Sequence, residues 1–446
     1  MKKRTIKLIR KRNQQKKIRK PKSVIYLRLA GLFMALTIFL SGPAAGIDIK
    51  GHDVKGKVYV SDYYSQDSSN YDFHVLTGRL NLYKREEQKP GIYFEFDGRI
   101  RKKIEQGDLR SDVATYKFDE VWLAYKFPGE KLKAIAGRQY IEEMYNTRID
   151  GLNTQYQFDS GFGVGVFGGL APDKIDESFG TEYKSIGVYS FYYKDWIRLM
   201  TGFEHLRYNG KTDREYASLK VFSKLNEKTR LNAISSVSIN QITNNVEVEN
   251  VNLNLLHSYS KKLRMNVFYN YYRTIKYYES AKYYDAFGDL DNSFLLDTNS
   301  QTRTGLRVDY KIKKDLKIYA SAAYEKRENT SEDSLRLTGG FRQYDVLGFD
   351  ISGRYTHISG LGSVSDEYNI EIYRNILDTF DLSVYASHEE EKLDELNAFT
   401  TAADTYGASL FWPINKYYYL NAFVERFEDE DYSLTSFFAQ LGYKLY

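Results

Sequence analysis

Six histidines are the side chains of this 446-residue sequence best suited to acid–base or metal chemistry: His52, His74, His205, His257, His357 and His388. No two of them stand at the H-x-x-x-H or H-E-x-x-H spacing that sets two ligands on one helix face. Serines and aspartates are scattered among them without forming an evident Ser/His or Asp/His set, and no glycine-rich phosphate loop or dinucleotide fingerprint occurs. Isolated histidines of this kind usually serve structure, so no catalytic residue is assigned and an enzyme is not expected. Asp289 and Asp291 lie in the longest loop, in DAFGDLDN. They form a weak Ca²⁺ candidate, because hard cations collect several carboxylate and carbonyl oxygens; a solvated acidic loop is the plainer reading. The absence of cysteine excludes thiolate metal sites, covalently attached c-type haem and disulfides, while leaving an oxidising compartment open. No metal and no cofactor is expected.

Charge recurs here in another arrangement. Glu95, Asp97 and Arg99 alternate with Ile92, Phe94, Phe96 and Ile100. Arg264 sits between Leu263 and Met265, and Arg307, Asp309 and Lys311 alternate with Leu306, Val308, Tyr310 and Ile312. Arg336 and Arg342 alternate with Leu335, Leu337 and Phe341, and Arg354 lies among Phe349, Ile351 and Tyr355. A strand turns successive side chains to opposite faces. Charges facing a dry core would each cost several kcal/mol, whereas charges facing water cost little. These ten charged residues are therefore candidates for the lining of a water-filled interior, with the apolar partners on the other face.

The elements that must position them are strands. From Val54 the chain is a succession of segments of roughly ten residues, the length of a tilted membrane-crossing strand. Phe162, Val164 and Val166 alternate with glycines, and Val251, Leu253 and Leu255 with asparagines. The linkers alternate between short (Asp159-Ser160, Lys313–Asp315, Ile376–Thr379) and long (Lys102–Asp112, Ile141–Gly151, Pro172–Tyr183, Lys276–Thr302, Glu389–Thr405). Short turns on one side, longer loops on the other and both chain ends on the turn side require an even strand count, about 22 with 20 to 24 tolerated. The long stretch 276–302 has enough residues to fold either inward or outward. Aromatics cluster beside turns, Tyr192-Tyr193 with Trp196 and Trp412 with Tyr417–Tyr419, where a membrane–water boundary would favour them. The fold expected is an all-β, transmembrane, antiparallel up-and-down barrel.

Composition agrees. Tyr is 41 and Phe 26 against 6 Pro, a balance that favours strands. The mean hydropathy of −0.55 is too polar for a bundle of membrane helices but not for a barrel, in which only alternate residues meet lipid. The formal charge of +5 misleads: residues 1–46 hold 13 of the 64 basic residues and no acid, leaving 51 basic against 59 acidic, net −8. A nucleic-acid partner has no support from that balance. The leader itself reads as an export signal. A basic region, 1–28, precedes the apolar run Leu29–Leu40 and the small-residue stretch SGPAAG, with cleavage expected after Gly46 or Ala45. Residues 1–46 are thus read as a signal peptide and 47–446 as the barrel.

Two stretches carry a resemblance. The terminal strand YSLTSFFAQLGYKLY sets Phe437, Ala439, Leu441, Tyr443 and Leu445 on one face and ends on Tyr446. It resembles the C-terminal insertion signal of outer-membrane β-barrels. Gly137-Arg138-Gln139 followed by Asp150-Gly151-Leu152 resembles a strand–loop–strand unit of porin-like outer-membrane families of Gram-negative bacteria, a likeness running from Lys131 to Pro172. In that unit Arg138 and Asp150 would meet at the outer rim. The resemblance implies an outer-membrane channel for passive diffusion of small hydrophilic solutes or ions, with outer-membrane lipid and the barrel-assembly machinery as partners. The alternative is a sleeve around a lumen-filling periplasmic partner such as a multihaem cytochrome; with no C-x-x-C-H here, any haem would belong to that partner. An N-terminal plug of the TonB-dependent kind has no room before the first strand.

Overall fold

The computed structural model describes residues 54–445 apart from 70–71, 85–88, 106–113, 130, 174–176, 242, 275–299, 329–332, 361, 377–378 and 394–399. The signal-like leader and the aspartates Asp289 and Asp291, with most of the longest loop, lie outside the described residues.

Twenty-two strands succeed one another along the chain. They are β1 (Lys55–Asp67), β2 (Asp72–Lys84), β3 (Gly91–Glu105), β4 (Ala114–Lys126), β5 (Leu132–Tyr140), β6 (Arg148–Gln157), β7 (Phe162–Leu170) and β8 (Tyr183–Lys194). The middle of the chain gives β9 (Ile197–Tyr208), β10 (Lys211–Asn226), β11 (Thr229–Ile239), β12 (Val246–Ser258), β13 (Leu263–Arg273), β14 (Ser300–Lys313) and β15 (Leu316–Arg327). The last are β16 (Asp333–Val346), β17 (Phe349–Gly360), β18 (Ser363–Ile376), β19 (Phe380–Leu393), β20 (Thr400–Trp412), β21 (Tyr418–Asp429) and β22 (Ser433–Leu445). Each pairs antiparallel with the next, and β22 pairs with β1 from Gly56↔Leu445 to Asp67↔Leu434. The sheet therefore closes on itself, leaving no edge to be satisfied, which is the condition for a sheet to stand in lipid.

The apolar register faces out. Ile92, Leu123, Leu152, Val166 and Ile186 are each more than half exposed. In water a continuous apolar surface of this kind would drive association; against hydrocarbon it is the proper contact. Strands begin and end with β1 and β22 on one rim, the turn rim. The opposite, loop rim carries the connections after β1, β3, β5 and the other odd strands. The rule of short and long linkers has exceptions on the loop rim: β17 and β18 are two residues apart, and so are β9 and β10, joined by Asn209-Gly210 alone. Both residues have positive φ, 48° and 85°. That is the geometry of a two-residue hairpin whose twist matches the flanking strands.

Six register shifts interrupt the pairing among the described residues, and in the three that lie away from the turn-rim hairpins the extra residue is an acid. Asp119 is skipped between the partners of Asp97 and Gly98, Asp213 between Thr212 and Arg214, and Glu249 between the partners of Ser236 and Val237. By strict alternation each would share the apolar, outward register of Val121, Leu219 or Val251. An extra residue in one strand reverses the face of the residues beyond it. Asp119 and Glu249 thereby reach arginines on the inner wall.

Candidate functional site: the barrel interior

The register sets all ten charged candidates on the face opposite the outward apolar residues. On β3, Asp97 accepts two hydrogen bonds from Arg79 of β2, at 2.6 and 2.5 Å. Asp119 lies 3.4 Å from Arg79 and 3.6 Å from Arg99, completing a chain of alternating charge up this wall. Glu95 is 8% exposed, beside Asn81. On β13 and β14, Asp309 is shared by Arg307 at 3.0 Å and Arg264 at 3.7 Å. The Arg307 guanidinium also lies 4.1 Å over the Tyr319 ring, and Arg342 lies 5.1 Å over Tyr344. Arg354 pairs with Glu367. Lys311 lies opposite Lys317 of β15.

Two features of this wall escaped the sequence. Arg303 joins Arg307, Arg336 and Arg354 around one polar recess of about 320 Å³, floored in part by Phe268 and Tyr319. Basic side chains dominate the inner face of β13 to β17. On β18 to β21 the inner register carries Glu367, Glu371, Asp381, Glu389 and Glu425 instead. Two strips of opposite sign thus stand side by side along the wall.

The other feature lies between β5 and β6. The segment 141–147 turns into the lumen and packs on the inner wall of β7 to β10. Met144 (1% exposed) sits over Gly202, where any Cβ would collide with its sulfur. Ile141, Met144 and Ile149 join Phe167, Tyr189, Phe191, Met200 and Tyr216 in one buried cluster. Polar bonds fix it further. The Thr147 hydroxyl donates to Glu204 at 2.9 Å, the Tyr145 amide to Ser218 Oγ at 3.2 Å, and Lys220 Nζ to the Glu142 carbonyl at 2.8 Å. Burial pushes the Glu143 carboxyl above its ordinary range, a backbone hydrogen bond opposes this, and Glu142 adds to the upward push. The wall accepts the segment because Gly163 and Gly165 let Phe191 and Tyr189 lie flat across them. Further round, Arg214 and Glu249, 4% and 3% exposed, form a buried inward pair at 2.5 Å.

Arg138 and Asp150 come together, on the outward face rather than in the lumen. All five guanidinium donors are used. Nε and Nη2 bond Asp150 at 2.6 and 2.7 Å, and Nη1 bonds the carbonyls of Phe118 and Glu177 at 3.0 and 2.9 Å. Nη2 also reaches the Ser178 carbonyl at 3.4 Å. The ring of Phe179 lies 3.7 Å from the guanidinium carbon, and the Arg138 side chain is left 1% exposed. β5, β6 and β7 are short, so Glu177–Phe179 from the next loop rim connection can drape over the wall and cover the charge.

The described histidines do not converge. His74, His205, His357 and His388 all occupy the outward register near the loop rim, each bonded to a carboxylate: Asp62, Glu215, Asp366 and Asp404. His257 is outward at the turn rim with Thr229. Among the described residues no three potential ligands gather as a metal site.

A closed wall, apolar outside and charged inside, offers one face to lipid and the other to water. The chain is built as a transmembrane β-barrel of twenty-two strands. No protein-family model and no curated protein matches the sequence. Among solved structures, the P pilus usher PapC translocation pore is similar at a TM-score of 0.47 and 10% identity, over 87% of this chain and 99% of that one. OccK7 (OpdD) of Pseudomonas aeruginosa gives 0.45 and 10%, over 88% and 99%. OccAB4 of Acinetobacter baumannii gives 0.43 and 10%, over 89% and 98%. At such scores the likeness is one of barrel to barrel and carries no argument about function.

Proposed function

We propose that the barrel is an outer-membrane channel for passive diffusion of small hydrophilic solutes or ions. The observation that carries this reading is the wall from β13 to β21, where inward charged side chains stand in solvent behind an apolar exterior. Polar groups there replace part of a solute's hydration, and rings or strips of charge set ion preference. Because a basic strip adjoins an acidic one, both signs of ion find a favourable flank, and selectivity is modest. The segment 141–147 narrows the lumen from the opposite side. Residues 1–46 act as the export signal in this reading, and the terminal strand β22, which closes the wall on β1, is the part the assembly machinery would recognise. The chemistry is not enzymatic: solutes cross unchanged.

Single-channel conductance of the refolded protein in a planar bilayer tests the reading. Steady open steps are expected, with a reversal potential close to zero in symmetric-mobility salt gradients. A silent bilayer from protein with a β-rich spectrum and heat-modifiable migration would sink it.

A further inference from the structure

The outward face of β16 to β20 is not a smooth apolar wall. It is hollowed by a groove of about 590 Å³. Gly339, Gly353 and Ala386 form its floor, and a Cβ placed on Gly339 would meet nothing within 4 Å. Phe341, Ile370 and the tyrosines Tyr355, Tyr368 and Tyr406 rise around it. A second hollow of about 420 Å³ adjoins it over Ala320 and Ala322 and shares Gly339 and Tyr355. Small residues in the middle of a lipid-facing sheet leave packing unmade unless something fills the space.

The upper end of the groove, toward the loop rim, is polar. His388 Nδ1 lies 2.8 Å from Asp404, with Glu390 at 3.5 Å from the other ring nitrogen. One strand pair away, Asp366 accepts from the Tyr355 hydroxyl at 2.6 Å and lies 2.8 Å from His357 Nδ1. Among the described residues the outward carboxylates Asp366, Asp404, Glu390 and Glu428 outnumber the nearby outward cations, Lys392 of β19 and Arg426 of β21, and Arg426 is held by Glu428. Such a cluster attracts a cationic group, and Lys392 leaves a place for an anion beside it.

We propose that this groove binds one membrane lipid, its two acyl chains in the two hollows and an ammonium-bearing phosphate head on the Asp366–Asp404 cluster. Apolar walls and small-residue floor suit a chain of methylenes, each buried CH₂ gaining free energy when it leaves a looser environment for close contact. The acidic end suits the ammonium, and Lys392 suits the phosphate. A second protein copy fits less well, because its approach would bury three carboxylates against an apolar partner. This inference does not depend on what the lumen conducts.

The test uses the purified barrel in micelles containing equal amounts of phosphatidylethanolamine and phosphatidylglycerol with the same chains, read by native mass spectrometry. The wild-type barrel is expected to retain one phosphatidylethanolamine, several-fold in preference to phosphatidylglycerol. Gly339→Leu, at a position where a Cβ meets no existing atom, places a side chain on the floor and should abolish retention while leaving heat-modifiable migration intact. Gly78→Leu, at an equally open outward glycine on β2, should retain lipid as the wild type does. Asp366→Asn with Asp404→Asn should keep a lipid but lose the preference for the ammonium head. Equal retention of both lipids by the wild type, unchanged retention by Gly339→Leu, or a Gly339-dependent oligomer without lipid would each overturn the proposal.

Discussion

Between β5 and β12 the inner wall is packed as a protein core is packed, whereas between β13 and β21 the same kind of strand stands open to water. The contrast is plain in two ion pairs. Arg214 and Glu249 are 4% and 3% exposed, while Arg354 and Glu367 are 45% and 28% exposed. Both are inward pairs between neighbouring parts of the wall. What differs is the segment 141–147, which brings Ile141 and Met144 over the first region and nothing described over the second. A charged pair is therefore structural in one place and a lining in the other. Removing one partner of a buried pair strands the other charge, whereas exposed pairs contribute little.

That contrast can be broken, and the largest effect is expected at Arg138. Its replacement by Ala leaves the Asp150 carboxylate beneath the Glu177–Phe179 strap without a counter-charge. A loss of ~3–5 kcal/mol is expected, as for other broken buried pairs, read as a lower urea midpoint of the folded, heat-modifiable band. A loss below about 1 kcal/mol, the range of exposed pairs, would mean that the strap does not seal the site.

Next comes Met144→Ala. The core substitution should destabilise by about 2 kcal/mol or more and loosen the inward segment, so that single-channel conductance rises. Unchanged conductance in a folded variant would show that the segment does not narrow the path.

A third prediction uses pH. Burial raises the Glu143 carboxyl in the folded protein. Its protonated form therefore favours the folded segment below the unfolded value of roughly 4.3, and that contribution is lost as pH rises through the raised folded value. The inward segment should be held most firmly at acid pH, and Glu143→Gln should hold it across the range. Protease sensitivity near 141–147 against pH is the measurement, and identical profiles for the two proteins would refute the linkage.

The smallest stability effect and the clearest functional one are expected in the open region. Arg307→Glu and Arg342→Glu should each change stability by less than about 0.5 kcal/mol, as exposed substitutions do. Each should shift the reversal potential toward cation preference. No shift would remove that residue from the conducting surface.

Much of the barrel was legible before any contact was known. Period-two alternation marks a strand whatever it pairs with, and two-faced strands separated by alternating short and long linkers need a closed, even-numbered sheet. Hence the count of about 22 matches the twenty-two strands found. The inward facing of Arg307, Asp309 and Arg336 comes from the same alternation. Asp119 and Glu249 were not legible, because a bulge turns a residue of the outward register inward. The available signal was their chemistry: an acid in an apolar register, away from a rim, marks a bulge. Arg138 broke the same rule with no bulge at all, and its solution lies in a strap far along the chain. The segment 141–147 reads from its length as an ordinary outer loop. Its inward fold depends on Gly163 and Gly165 of β7 and Gly202 of β9, distant from it in sequence.

The sequence by itself determined the wall: its strands, the face that residues take away from the bulges, its closure and its polarity, because these arise from local periodicity and from the cost of placing charge against hydrocarbon. Only the tertiary structure decided which part of the lumen is filled, how the outward charge of Arg138 is covered, and where the exterior is hollow. Those outcomes depend on side chains from distant strands meeting at contact distance, and no pattern local to one strand encodes them.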